Sequence, residues 1–269
     1  MFKKWRLGTL AGFPVEIDLS FVLLLGVVYL WLGGSAAGLL GVLAVLVAFG
    51  SVLLHELGHS LVARQLGVPV SGIELNFFGG AAKMVSLPRT ANHEIAIAAA
   101  GPAVSLMLAG AGFGLGAVTG IGFLVAVGWI NLVIAGFNLI PALPMDGGRI
   151  LRAFLTRRMD FITATDRAVD VSRVVAIGFA AFGLLGGHLQ LLLLAPFLWM
   201  LGTREKALAR QIADRFAYDH AGYAERGGHE PDVMPRGWRP GAPSTSGGGG
   251  APRGFVIRQR NGRLVVEPV

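Results

Sequence analysis

The chain has 269 residues, of which 54% are hydrophobic and only 14% are charged. A soluble domain carries roughly 25% charged residues, so this chain lacks the polar groups that cover a fully hydrated surface. A net charge of +7 would favour a nucleic-acid partner in a soluble protein, but here the basic residues flank apolar segments, and we expect no nucleic-acid partner. The absence of cysteine excludes disulfides and thiolate metal sites.

Three long uncharged segments indicate the class of protein. Residues 20–54 and 95–145 contain no Lys, Arg, Asp, Glu or His, and residues 174–203 contain only His188. A helix needs about 20 apolar residues to cross a bilayer. The segments therefore predict an all-α polytopic membrane protein with about six transmembrane helices in contact with the lipid bilayer.

The predicted spans are separated by turns that contain glycine or proline. In chain order they cover about residues 19–32, 36–66, 95–115, 121–140, 174–185 and 189–201. A cleaved signal peptide is the alternative for the first span. The last two spans are short, so we expect either extension by their flanks or a re-entrant pair.

The basic residues orient these spans in the membrane. They occur before the first span and after the second, fourth and sixth, whereas the turns after the first, third and fifth have none. Because Lys and Arg are enriched in cytoplasmic loops, we expect a multi-pass protein of the inner (plasma) membrane with both termini in the cytoplasm.

Residues 70–86 do not have the composition of a span. Ile73, Leu75 and Phe77 alternate with polar residues, and Gly79-Gly80 is suited to a turn. This pattern predicts a small membrane-associated β-hairpin, with an irregular surface loop as the alternative.

The C-terminal region has a different composition from the rest of the chain. Residues 218–253 are rich in Gly, Pro and Ser, which predicts a flexible linker. In residues 254–269, apolar runs flank Asn261-Gly262, a dipeptide typical of tight hairpin turns. We therefore expect a membrane core at residues 1–217, the linker, and a β-hairpin in a short cytoplasmic tail.

The most informative motif is His55-Glu56-Leu57-Gly58-His59, at the end of an apolar segment. Residues four apart share one face of a helix, so both imidazoles can bind one metal ion while Glu56 reaches a water at that ion. Zinc suits imidazole and lowers the pKa of its water to about 7, and the glutamate can then act as general base. The alternative is an ordinary solvated helix end, which the apolar residues throughout the motif disfavour.

A catalytic zinc site usually has three protein ligands and one open position. The candidates for the third ligand are Glu74, His93, Glu94 and Asp146. Glu74 fits a strand, and Glu94 fits a helix N-terminus, which favours acids. Asp146 has no such structural explanation, because it follows a helix broken by proline and is the only acid between Glu94 and Asp160. The sequence therefore favours Asp146.

Taken together, these motifs resemble the site-2 protease family of intramembrane zinc metalloproteases, and most closely its six-span bacterial group. The resemblance covers about residues 8–201. It rests on His55-Glu56-Leu57-Gly58-His59, Phe77-Phe78-Gly79-Gly80, Ala100-Gly101-Pro102 and the run Asn138-Leu139-Ile140-Pro141-Ala142-Leu143-Pro144-Met145-Asp146-Gly147-Gly148-Arg149.

The resemblance implies that His55, His59 and Asp146 bind one catalytic Zn²⁺ and that Glu56 is the catalytic base. It also implies that Asn138 holds the substrate backbone near the metal, for which a helix–helix hydrogen bond is an equal alternative. The implied substrate is a membrane protein with a transmembrane helix, such as an anti-sigma factor or a membrane-tethered regulator, cleaved in regulated intramembrane proteolysis.

This chain departs from the family pattern in two respects. Ser105 stands where the family often has asparagine, which leaves the role of that position open. We also expect that the short linker and hairpin do not provide the pair of nucleotide-sensing repeats found in many six-span members.

Two other functions are compatible with an apolar chain that contains buried polar residues. A metal or ion transporter would be expected to show repeated halves with paired broken helices, and the sequence contains no internal repeat. A scaffold that binds membrane helices without cutting them would not need Glu56 beside both histidines.

Overall fold

The computed structural model describes residues 4–77, 79–86, 88, 90–225, 255–260 and 263–268. The chain divides into two compact units, Met1–Arg239 and Pro240–Val269. The elements of the first unit are β1 (Lys4–Leu10), β2 (Phe13–Asp18), α1 (Leu19–Trp31), α2 (Ala36–Gln65), β3 (Val70–Asn76), β4 (Gly79–Met84), α3 (Ala91–Thr119), α4 (Gly122–Asn138), α5 (Asp146–Leu155), α6 (Phe161–Gly186) and α7 (Leu189–Glu225).

Helices α2, α3 and α6 are long and apolar enough to cross a membrane, and α1 and α4 are shorter apolar helices. This confirms the prediction of a mostly helical chain with helices of membrane-spanning length. The two short predicted spans near the C-terminus lie within α6 and α7, which the flanking residues extend.

The helices begin and end at residues with known capping roles. Asp18, Thr90 and Asp160 precede α1, α3 and α6, and each accepts a hydrogen bond from a backbone N–H of the first turn. Helices α3 and α6 end at Gly120 and Gly187, whose left-handed backbone conformations suit glycine.

The predicted hairpin at residues 70–86 is present as the antiparallel pair β3 and β4. It belongs, however, to a four-stranded sheet with the order β1-β2-β3-β4, in which β2 and β3 are parallel. The prediction of an all-α fold with a single membrane-associated hairpin was therefore incomplete.

The two missed strands have weak sequence signals. All residues of β1 except the last are exposed, so no buried face marks it as a strand. Its Lys4 and Arg6 also fit the basic flank of a span. In β2 the alternation is only six residues long, with Phe13 and Val15 buried in the same sheet as Ile73.

The C-terminal region is described only in part. Helix α7 continues past residue 217 to Glu225, whereas residues 226–254, most of the predicted linker, lie outside the described residues. In the second unit, β5 (Phe255–Arg260) and β6 (Arg263–Pro268) pair antiparallel, as expected of a hairpin. The predicted turn at residues 261–262 also lies outside the described residues, and the domain boundaries remain a prediction.

Candidate metal centre

Three buried side chains from two helices converge on one point. The Nε2 atoms of His55 and His59 lie 3.1 Å and 3.2 Å from Oδ2 of Asp146, and 3.1 Å from each other. The side chains are almost fully buried, since the residues are only 2%, 2% and 5% exposed. Within the described part of the chain, this is the only cluster of three or more such groups able to hold a metal ion.

The helices explain why these residues meet. His55 and His59 lie one turn apart on the buried C-terminal part of α2. Asp146 is the first residue of α5, which begins after the proline-containing turn that follows α4. The turn packs tightly on α5, because a side chain at Gly147 or Gly148 would overlap the backbone of residues 139–143.

The second nitrogen of each imidazole has its own partner. Nδ1 of His59 lies 2.6 Å from the carbonyl oxygen of Ile97, and Nδ1 of His55 lies 2.9 Å from Oγ of Ser105. A carbonyl can only accept, so Nδ1 of His59 donates, and its Nε2 is left with a lone pair for a metal. Such outer partners fix the orientation of metal-binding histidines.

The space between the two imidazoles is kept open by Gly101. A Cβ atom at this position would lie 2.6 Å from Nε2 of His55 and closer still to Nε2 of His59. Two imidazole nitrogens and one carboxylate oxygen match the ligand set of a catalytic zinc site. The residues present therefore fit Zn²⁺.

Replacing Gly101 with alanine should prevent zinc binding, because the added methyl group occupies the space between the ligand nitrogens. The zinc content of the purified protein tests this. Gly110→Ala is a matched control in the same helix, because no atom lies within 4 Å of a Cβ at Gly110. Full zinc content in the Gly101→Ala protein would contradict the proposed site.

Replacing Ser105 with alanine should weaken zinc binding by about 10–100-fold, the usual cost of losing an outer partner of a metal ligand. Ser105 is fully buried, so water cannot readily replace its hydroxyl group beside His55. A chelator competition assay measures the change. Ser60→Ala is the control, because Oγ of this equally buried serine donates to the Glu56 carbonyl within α2. Equal affinities of the two variants would rule out an orienting role for Ser105.

The side chain of Glu56 contacts the sheet. Its Oε2 accepts a hydrogen bond of 2.9 Å from the backbone N–H of Ala82 in β4. The β4 backbone passes close by, since a Cβ at Gly80 would lie 2.7 Å from Cγ of Glu56. The carboxylate of Glu56 is thus separate from the three clustered ligand groups and is held by β4.

The two asparagines of α4 have different environments. Asn138 is half-buried, and its Nδ2 donates to the Ile134 carbonyl of its own helix at 3.0 Å. Its role in substrate binding stays a prediction. Asn131 is fully buried and donates to Oγ of Ser51 at 3.0 Å, one turn before His55 on α2. This hydrogen bond links α4 to α2.

Glu74 and Glu94, the two other acids that were candidates for the third metal ligand, have other partners. Glu74 forms ion pairs with Lys4 and Lys83 in the sheet, at 2.7 Å and 2.6 Å. Burial alone would raise the pKa of Glu74, but the hydrogen bonds from the two lysines outweigh this effect and lower it. Glu94 pairs with Arg152. Neither acid belongs to the metal cluster, and neither does His93.

Sequence reasoning did not find the roles of Ser105, Ile97 and Gly101 around the imidazoles. The Ile97 contact is made by a backbone carbonyl, for which no side chain gives a signal. Ser105 lies 50 positions from His55 in the chain, so no local spacing connects them. Gly101 was noted only as part of a family motif.

Comparison with known proteins gives a family and several similar proteins. Residues 43–121 and 117–181 match Peptidase family M50. A zinc metalloprotease of Methanocaldococcus jannaschii is 36% identical over 206 residues, which is 74% of this chain and 60% of that protein. Putative zinc metalloproteases of Synechocystis and Mycobacterium tuberculosis are 36% and 38% identical, over 71% and 66% of this chain and 54% and 50% of those proteins. The chain thus spans about half to three fifths of the length of these curated relatives.

A solved structure agrees with the sequence relatives. The site-2 protease from Methanocaldococcus jannaschii matches with a TM-score of 0.57 and 35% identity, over 76% of this chain and 95% of that one. The family match includes α2 from residue 43 onward, with both histidines, and the first turn of α5 with Asp146. The chain therefore belongs to the site-2 protease family, Peptidase family M50.

Proposed function

We propose that this chain is an intramembrane zinc metalloprotease that hydrolyses a peptide bond within or near a transmembrane segment of a membrane protein. The observation that carries this proposal is the cluster of His55, His59 and Asp146, buried at the end of an apolar helix long enough to cross a bilayer. Membership of a peptidase family and the names of the relatives support it.

His55, His59 and Asp146 hold the zinc ion, which when bound supplies Lewis-acid activation of a water and of the scissile carbonyl. Glu56 adjoins His55 in α2 and acts as general base, taking the proton from the attacking water and returning it to the leaving amine. The hydrogen bond from Ala82 to Oε2 of Glu56 orients this carboxylate. Asn138, at the end of α4, donates to the developing oxyanion.

The sheet provides the place for the substrate chain. The peptide bonds of a transmembrane helix are shielded by their own hydrogen bonds, so the helix unwinds locally before cleavage. Strand β4 is at an edge of the sheet and contacts Glu56. An unwound segment pairs with this edge by strand addition, which brings its peptide bonds beside the base.

The partners and the location follow from the same proposal. The substrate is a membrane protein with a transmembrane helix, such as an anti-sigma factor or a membrane-tethered regulator, cut in regulated intramembrane proteolysis. The six spans are α1, α2, α3, α4, α6 and the first half of α7, in the inner (plasma) membrane. The distribution of basic residues supports cytoplasmic termini. Neither a transporter nor a non-cleaving scaffold is favoured.

The proposal is tested with purified protein in lipid vesicles and a fluorogenic single-span substrate. Removal of zinc with a chelator should abolish cleavage, and readdition of Zn²⁺ should restore it. The reason is that His55, His59 and Asp146 contribute to water activation only by holding the zinc ion. A chelator already saturated with zinc is the control. Cleavage that continues at the same rate in the zinc-free protein would overturn the proposal.

A further inference from the structure

A buried ion pair joins α5 to α3. Nε of Arg152 donates to Oε1 of Glu94 at 3.0 Å, and Nη2 of Arg152 donates to the same oxygen. Each residue is only 7% exposed. The guanidinium group also lies 5.1 Å from the centre of the Phe161 ring, and its Nη1 is 3.8 Å from Oε2 of Glu205 in α7.

Stability alone does not account for this pair. Removing two charges from water is costly, and apolar residues of similar volume are often at least as stabilising. A buried ion pair instead fixes the relative orientation of the two elements that it joins, because a guanidinium group and a carboxylate form hydrogen bonds only in a defined geometry. In this protein, the two partners of that geometry are α5 and α3.

On one side, the pair fixes the helix that begins with Asp146. Helix α5 has only ten residues, with Asp146 in its first turn and Arg152 in its last turn. A helix of this length is marginal by itself, so its placement depends on contacts with the rest of the protein. Its N-terminal end is fixed by Gly147 and Gly148 against the preceding turn, and Arg152 fixes the opposite end.

On the other side, the pair reaches the turn of α3 that orients His59. Glu94 and Ile97 are three residues apart in α3, which places them one turn apart on the same side of the helix. The Ile97 carbonyl accepts the hydrogen bond from Nδ1 of His59. One turn of α3 therefore contacts both a histidine ligand and, through Arg152, the helix of the carboxylate ligand.

We propose that Arg152 and Glu94 are positioning residues of the metal centre, which set Asp146 relative to His59 by tying α5 to the first turns of α3. The proposal rests on the proposed zinc site. The pair does not touch the metal; it acts through the placement of α5.

The test compares two substitutions of Glu94 in the full-length protein. Glu94→Gln keeps an oxygen that accepts from Arg152, whereas Glu94→Leu removes it. The readouts are zinc affinity by chelator competition and the visible absorption spectrum of the Co²⁺-substituted protein. We expect Glu94→Leu to lose about 10–100-fold in zinc affinity, as for other outer partners of metal ligands, with a changed cobalt spectrum. Glu94→Gln should stay close to the unmodified protein in both.

A double variant keeps the test decisive if Glu94→Leu leaves Arg152 unpaired and the protein does not fold. Arg152→Met combined with Glu94→Leu removes both charges and fills similar volume, a change that buried ion pairs often tolerate. We expect this folded double variant to show the same loss of zinc affinity and the same spectral change. Unchanged affinity and spectrum would show that the pair is only structural and would overturn the inference.

Arg157→Gln is the matched control. Nη2 of Arg157 donates to Oδ1 of Asn92 at 2.7 Å, which links the turn just after α5 to the start of α3, but at an exposed position. This variant should keep the zinc affinity of the unmodified protein, and an equal loss would overturn the assignment to the buried pair. Failure of the unmodified protein to bind zinc would instead overturn the proposed function, and the inference with it.

Discussion

Replacing Glu56 with glutamine should abolish peptide hydrolysis and leave zinc bound. The carboxylate of Glu56 is not among the three clustered ligand groups, so the metal site keeps all of its donors. Glutamine keeps the size of the side chain and an oxygen that accepts from Ala82, but it cannot take a proton from water. A general base typically contributes about 10²–10⁴-fold to the rate, and turnover of a single-span substrate should fall by at least this factor.

Glu74→Gln is the control for this experiment. Glu74 lies in β3, and its carboxylate pairs with two lysines of the sheet, so its loss removes a charge without touching the cluster. This variant should keep both its zinc and its turnover. Normal cleavage by Glu56→Gln would contradict the assignment of the base, and loss of zinc from that variant would assign Glu56 to the metal site instead.

The helices were predictable because apolar length is a local property of the sequence. The predicted second span at residues 36–66 differs by one residue from α2, since Ser35 and Gly67 flank a segment that contains no proline and no charged residue before His55. The sheet was predictable only in part. Strand β1 is an exposed edge strand that depends on its pairing with β2, and such pairing leaves no periodic pattern in the sequence.

The candidate site was also predictable only in part: the ligand residues were predicted, but the contacts around them were not. His55 and His59 follow from helical spacing, and Asp146 follows from the lack of any other explanation for an acid in an apolar region. The structure brings all three together. The contacts that surround them, from Ser105 and Ile97 to the imidazoles, join residues at least 38 positions apart. Only the packing of α3 against α2 creates them.

The hydrogen bond between Ala82 and Glu56 joins the sheet to the metal motif, a contact that the sequence did not predict. The hairpin at residues 70–86 was predicted from its alternation and from the Gly79-Gly80 turn, without a link to Glu56. In the structure, β4 contacts the proposed base through its backbone. On the proposed mechanism, the strand that receives the substrate and the residue that activates water are therefore in direct contact.

Replacing Asp146 with asparagine should sharply lower both zinc affinity and activity. Asparagine keeps the size of the side chain, but it removes the negative charge that faces Nε2 of His55 and of His59. Since loss of an outer partner alone costs about 10–100-fold in metal affinity, loss of a charged ligand should cost more. Zinc analysis and chelator competition measure the change, with cleavage of a single-span substrate as the second readout.

Asp160→Asn is the matched control for this last variant. Asp160 is the N-cap of α6, where its Oδ2 accepts from the backbone N–H of Thr163 at 2.9 Å, and asparagine caps helices about as well as aspartate. The control should therefore fold and bind zinc as the unmodified protein does. If Asp146→Asn kept its zinc while Glu74→Gln lost it, the third ligand would come from the sheet. We expect the opposite result, because Asp146 is buried with its carboxylate against two imidazole nitrogens. A buried carboxylate in this position needs a cation, which the three side chains would share.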